Sequence, residues 1–201
     1  HITVLRESLA AYAMNSRRFQ EANQLFLNVA ENGRKSRDPD GEAAAYHHLG
    51  FIAQEQRDFA TAEQWYRKSL DIDEKHGNDN GAANTYRQLG IIAHMQRDFA
   101  TAEQWYRKSL AIKEKQGNEH GAASTSWQLG QMAQSQGRQF DAARYFLQSF
   151  SVFRKNDPRY SQMARDGFTT AWRKCSDYEQ QELRRLWHNE NLGEFPEGES
   201  T

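Results

Sequence analysis

The stretch QRDFATAEQWYRKSL occupies residues 56–70 and recurs letter for letter at residues 96–110. Self-similarity at a fixed spacing of forty residues marks an array of stacked units, each burying its core against the next. Working outward, the block from Gly41 to Asn80 matches the block from Gly81 to His120 at 27 of 40 positions, and a third copy starts at Gly121.

Within the first block Ala43, Tyr46, Leu49, Gly50 and Ala53 recur at spacings of three and four, the period of one helical face. Arg57-Asp58 breaks the pattern, and Phe59, Ala62, Tyr66, Leu70 and Ile72 carry a second helix up to Gly77-Asn78, a helix-stop signal. Only three prolines are present, Pro39, Pro158 and Pro196, at block boundaries or in the tail, so no helix interior is broken. Glycine inside a helix costs about 0.5–1 kcal/mol relative to alanine, and its return at Gly50, Gly90 and Gly130 calls for close helix contact as the reason.

Composition narrows the partners. Lys+Arg 26 against Asp+Glu 27 gives a net charge of -1, leaving no cationic excess for a phosphate backbone or an anionic membrane. Nucleic acid and membrane are therefore not expected partners. The single cysteine, Cys175, fits a reducing cytoplasm, and neither a long apolar span nor a signal peptide is visible. The chain opens HITVLRES without an initiator Met, which suggests a piece of a longer protein.

The aromatic, Leu-Gly, Ala and aromatic-x-x-Ala-x-x-x-aromatic series is carried by Tyr46, Leu49, Gly50, Ala53, Phe59, Ala62 and Tyr66, and again by Tyr86, Leu89, Gly90, Ala93, Phe99, Ala102 and Tyr106. It resembles the tetratricopeptide repeat family, in its long forty-residue variety found in kinesin light chains, polarity scaffolds and the sensor ends of bacterial signalling ATPases. The resemblance implies an all-α fold, a right-handed α-α superhelix of about four helical hairpins plus a C-terminal capping helix pair. It covers about residues 4–156. The third copy keeps Leu129, Gly130 and Ala133, has Ser126 in the first aromatic place, and reads with a one-residue insertion around Gly137 before Phe140, Ala143 and Leu147. A degenerate copy precedes Gly41, with Leu9, Ala10, Ala13, Phe19, Ala22 and Phe26 in register.

The expected organisation is thus a degenerate repeat over 1–40, repeats over 41–80, 81–120 and 121–159, capping helices over 160–191, and a disordered acidic tail or linker over 192–201. Ser176-Asp177-Tyr178-Glu179 reads as a capping box opening the last helix. A polar-faced terminal pair is what an array needs to shield its last interface.

No catalytic residues, metal ligands or cofactor motifs emerge, so the chain reads as a non-enzyme with no cofactor. His47 and His48 are adjacent and point about 100 degrees apart on a helix, which prevents joint ligation from one face. HExxH, CxxC and GxxxxGK[ST] sequences are absent.

The differences between the two best copies carry the functional signal. Six pairs in the first helix, Ala44/Asn84, His47/Arg87, His48/Gln88, Phe51/Ile91, Gln54/His94 and Glu55/Met95, share one arc roughly 120 degrees wide, opposite the unchanged Tyr46, Leu49, Gly50 and Ala53. The corresponding third-copy places are Ser124, Trp127, Gln128, Gln131, Gln134 and Ser135, and the first-copy places are Val4, Glu7, Ser8, Ala11, Met14 and Asn15. The resemblance implies that this arc lines a concave, peptide-binding groove. The expected groove residues are His47, His48, Phe51, Asn84, Arg87, Gln88, Ile91, His94, Met95, Trp127 and Gln128, with Trp127, Arg87 and Phe51 as anchors. Family members that grip a C-terminal carboxylate use Lys, Asn and Arg where this chain has His47, Phe51, Gln88, Ser124 and Gln128, so that clamp is absent.

Two functions follow as expectations. The first is a protein-interaction module binding a protein or peptide ligand in the groove, as the sensor or scaffold part of a larger signalling protein. The alternative is a structural spacer or oligomerisation module acting through the convex face or the ends. The sequence does not fix the oligomeric state.

Overall fold

The computed structural model describes Ala13, Met14 and residues 17–196. Among these residues there are helices and no strands: α1 (Phe19–Ser36), α2 (Pro39–Glu55), α3 (Phe59–His76), α4 (Asp79–Met95), α5 (Phe99–Lys115), α6 (Glu119–Ser135), α7 (Gln139–Phe153), α8 (Pro158–Trp172) and α9 (Asp177–Asn189). The fold is the all-α, tetratricopeptide-like array of hairpins that the sequence led us to expect. Val4, Glu7, Ser8, Leu9, Ala10, Ala11 and Asn15 of the degenerate copy, and residues 197–201, lie outside the described residues.

A left-handed residue turns the chain after every helix as far as α6. Arg17, Arg37, Arg57, Gly77, Arg97, Gly117 and Gly137 all have φ between 56° and 77°, and they stand 20 residues apart. Each forty-residue repeat is therefore two equal half-units of helix plus turn. An arginine in this region costs on the order of 1 kcal/mol. The closing hydrogen bonds offset that cost: the Asp58 N–H donates to the Ala53 carbonyl at 2.9 Å and the Asn78 N–H to the Asp73 carbonyl at 2.8 Å. The next residue then caps the following helix. Asp38, Asp58, Asn78, Asp98 and Asn118 each accept from the backbone N–H three residues on, at 2.8–3.1 Å.

The recurring helix glycine has the packing reason expected of it. A Cβ on Gly50 would stand 2.7 Å from the Tyr66 ring, and one on Gly90 would stand 2.6 Å from the Tyr106 ring. The third copy shows the same contact, between Gly130 and Phe146. That contact corrects the expected insertion around Gly137. Phe146 lies forty residues after Tyr106, α7 starts forty residues after α5, and Gly137 takes the left-handed place of Arg97. The buried partners are thus Ala142 and Phe146, with Ala143 and Leu147 buried beside them.

The chain divides into two compact units, with the boundary between Ile112 and Lys113, inside α5. In the first unit α2 packs on α1 and α3, α3 packs on α4, and the first helices α2 and α4 also touch. In the second unit α7 packs between α6 and α8, and its Phe146 meets Gly130 of α6 and Gly167 of α8. The capping box is present, with Ser176 and Glu179 bonded reciprocally at the start of α9.

Residues 192–196 are a second correction. The expected tail folds back on α8 and α9: Leu192 and Phe195 are each 7% exposed, and the Trp187 indole donates to the Gly193 carbonyl at 3.0 Å. Phe195 fits among Phe168, Trp172 and Trp187 at centroid distances of 5.2–5.7 Å. Burial of an aromatic ring, with edge-to-face contacts to its neighbours, outweighs the chain entropy lost by the segment that carries it.

Candidate functional site

The expected site residues fall in both units, nine in the first and Trp127 and Gln128 in the second. On α2 and α4, Met95 is exposed and His47, His48, Phe51, Asn84, Arg87, Ile91 and His94 are half-buried, while Gln88 is only 9% exposed with its Oε1 unpaired. In the second unit Gln128 is half-buried, and Trp127 leans on the hydrophobic core that contains Phe146 and Phe150.

Several members of the arc also pack. His48 stacks on Phe26 of α1 with centroids 4.6 Å apart, and His47 meets the Tyr66 ring edge-on at 5.2 Å. Gln54 accepts from the Tyr66 hydroxyl at 3.1 Å. In the next copy its place is taken by His94, and the Tyr106 hydroxyl is left without a partner. The arc is therefore a seam with one side in the protein and one side open.

Where that seam opens, a cleft of about 340 Å³ lies between α2, α3 and α4. Asp40, Ala44, His47 and His48 come from α2, Ser69 and Asp73 from the C-terminal half of α3, and Asn78, Gly81, Asn84 and Thr85 from the cap and first turns of α4. Three expected residues, His47, His48 and Asn84, thus share one cavity. Asp40, Ser69, Asp73, Asn78, Gly81 and Thr85 were not anticipated. A signal was present in Asp73: an acid in the last turn of a helix opposes the helix dipole, and its place in the next copy holds Lys113.

Asn78 organises the cleft. Its side-chain carbonyl accepts from the Gly81 N–H at 3.0 Å, and its amide donates to Asp73 Oδ1 at 2.8 Å and to Asp40 Oδ1 at 3.3 Å. One cap residue thereby holds two carboxylates together. His47 Nδ1 lies 3.0 Å from Thr85 Oγ1, and that hydroxyl lies 3.5 Å from Ser69 Oγ.

Burial, with His48 and Arg87 adding to it, pushes His47 down to about 4, and burial also lowers His48. Both imidazoles are neutral at pH 7. Asp73 moves the other way, to about 6, because burial and the Asp40 charge outweigh the hydrogen bonds from Asn78 and Ser69. The cleft is therefore a hydrogen-bonding pocket whose formal charge at neutral pH is negative.

Among the described residues no group of three or more His, Cys, Asp or Glu side chains could hold a metal ion. Cys175 is buried, with its thiol pushed up to about 11 by burial and Glu179, so it is a poor nucleophile.

Residues 2–75, 42–115 and 81–155 match the tetratricopeptide repeat. No curated protein matches the chain. Among solved structures, BtubC (BKLC) from P. vanneervenii superposes with a TM-score of 0.79 at 18% identity, covering 98% of this chain and 83% of that one. A provisional kinesin light chain from Podospora anserina with nearly identical TPR-like repeats gives a TM-score of 0.69 at 17% identity, covering 95% of both. At these identities the likeness is one of fold.

Proposed function

The chain belongs to the tetratricopeptide repeat family, and on that premise we propose that it is a protein-interaction module taking a peptide segment of its partner on the half-open face of α2 and α4. Repeats of this family generally serve protein–protein interaction, and their fold is typically non-enzymatic. The observation that carries the finer reading is the cleft, because it gathers His47, His48 and Asn84 from the arc where the duplicated copies diverged. Phe51, Ile91 and Met95 add apolar area, and Arg87 adds a planar donor of the kind that dominates interfaces. In the second unit we propose the same role for Trp127 and Gln128. A partner without nucleic acid fits the net charge of -1. Among the described residues no helix is long and apolar enough to cross a membrane.

The test is selection of a displayed random-peptide library on the whole chain. Recovered peptides should compete with one another and lose at least about tenfold in affinity for Phe51→Ala/Arg87→Ala, on the scale of one interface hot spot. Gln64→Ala/Arg67→Ala, on the exposed side of α3, should bind as wild type. Peptides whose binding follows the α3 variant would move the site to the second helices. Failure to enrich any peptide would remove the reading.

A further inference from the structure

We propose that the cleft between α2, α3 and α4 is a subsite for one basic side chain, lysine or arginine, of the bound segment, with the Asp73 and Asp40 carboxylates as its counter-charges. This rests on the peptide-binding reading and adds what that face selects. At about 340 Å³ the cavity has room for a guanidinium or ammonium group with its last methylenes. Its walls are rich in acceptors. Asp40 and Asp73 supply carboxylates, the Asn84 side chain and the Ser69 and Thr85 hydroxyls supply further oxygens, and the two imidazoles bring no charge of their own at neutral pH. Arg87 acts on His47 but is not among the residues lining the cavity.

The pocket has one side of an ion pair and lacks the other. Asp73 is only 3% exposed, and the groups acting on its carboxyl are Asn78, Asp40 and Ser69, none of them a cation. A buried carboxylate without a counter-charge is costly, and its raised proton affinity is the physical trace of that cost. The missing side chain of Gly81 lets this carboxyl pack directly on the start of α4, where a Cβ would stand 2.5 Å from Asp73 Oδ1. Asn78 bridges the two acids at fixed separation, a preorganised fork for a planar guanidinium or a compact ammonium.

The duplication sharpens the assignment. Forty residues on, Asp40 is replaced by Asn80, Asp73 by Lys113, and His47 by Arg87. Two acids and a histidine give way to an amide and two cations, so the second of these copies does not share the anionic character of the first. A basic residue of the partner is thereby assigned to a single register on the array.

The experiment is an amide-resolved NMR titration of the whole chain with N-acetyl-arginine methylamide and with its citrulline counterpart, a neutral near-isostere. The arginine probe should give saturable shifts centred on Asn78, Gly81, Asn84 and Thr85, and citrulline should bind at least about tenfold more weakly, as expected when a charge-assisted pair is lost. Asp73→Asn should erase that preference. Asp40→Asn, at an exposed position, should reduce it without disturbing the fold, which keeps the test open if the buried variant is unstable. Equal binding of the two probes, or no saturable shifts with arginine, overturns the subsite. The probe needs no partner peptide, so loss of the subsite and loss of the peptide-binding face are read independently.

Discussion

The second helices of the two best copies, α3 and α5, share fifteen consecutive residues with the turns that lead into them, whereas the first helices, α2 and α4, differ at ten places. The difference lies in how many of a side chain's contacts are internal. Nearly every repeated residue of the second helices has a local task. Arg57 and Arg97 turn the chain in the left-handed region, and Asp58 and Asp98 cap the helices. Glu63 pairs with Arg67 and Glu103 with Arg107, both at 2.7 Å. Trp65 stacks on Tyr46 with Lys68 4.2 Å above its ring, and Trp105 stacks on Tyr86 with Lys108 at 4.8 Å. Most of these ties lie inside one repeat, and Arg67 also stands 5.8 Å from the Trp105 ring of the next. Gln64 and Gln104 are exposed, and nothing in the structure explains why they match.

The contrast breaks most sharply at Gly50. Gly50→Leu drives a side chain into the Tyr66 ring and should cost about 3 kcal/mol, the upper end for overpacking, and Gly90→Leu should cost the same because Tyr106 stands equally close. Thermal unfolding decides this, and an unchanged melting curve would show that the hairpin contact is not what holds the glycine.

A pH-dependent effect separates the copies next. The folded Asp73 carboxyl is raised from 3.8 to about 6, so its contribution to stability is present below about 4 and is lost as pH rises through 6. His47 is lowered from 6.5 to about 4, so its contribution is present above 6.5 and is lost as pH falls through 4. The two oppose each other across the same window. Asp73→Asn removes only the first, and the variant should melt above wild type at pH 7 and lose that advantage near pH 4. A constant difference between those pH values would mean that Asp73 does not titrate in this range.

Asp58→Ala should cost about 1 kcal/mol through the lost helix cap, matched by Asp98→Ala in the other copy. Unequal losses in chemical denaturation would show that the identical turns are not energetically identical. The smallest effect belongs to Glu63→Ala, whose exposed pair with Arg67 is worth only a few tenths of a kcal/mol, about 0.3–0.5. A loss above about 1 kcal/mol would place the second-helix surface in a wider network.

Much of this was legible because repetition writes a local rule several times over. The helix pairs, the capping box at Ser176 and the glycine at the close contact are all set by neighbours in sequence or by one repeating partner. The variable arc was legible too, as a stripe of substitutions, but its depth was not. His47 and His48 face other helices as well as solvent, Gln88 is buried, and Trp127 rests on a core. A helical wheel gives direction around one axis and says nothing of how near the next helix lies.

The sequence by itself determined the forty-residue array, its helical hairpins and its membership of the family, because helix periodicity, capping and glycine packing act over short, repeated distances. Only the tertiary structure decided that Asp73 from the end of α3 meets Asp40 from the start of α2 through Asn78, and that Phe195 closes the aromatic cluster of α8 and α9. The acids stand 33 residues apart. No local rule joins them; the packing of three successive helices does, and the same packing buries Asp73 and raises its proton affinity.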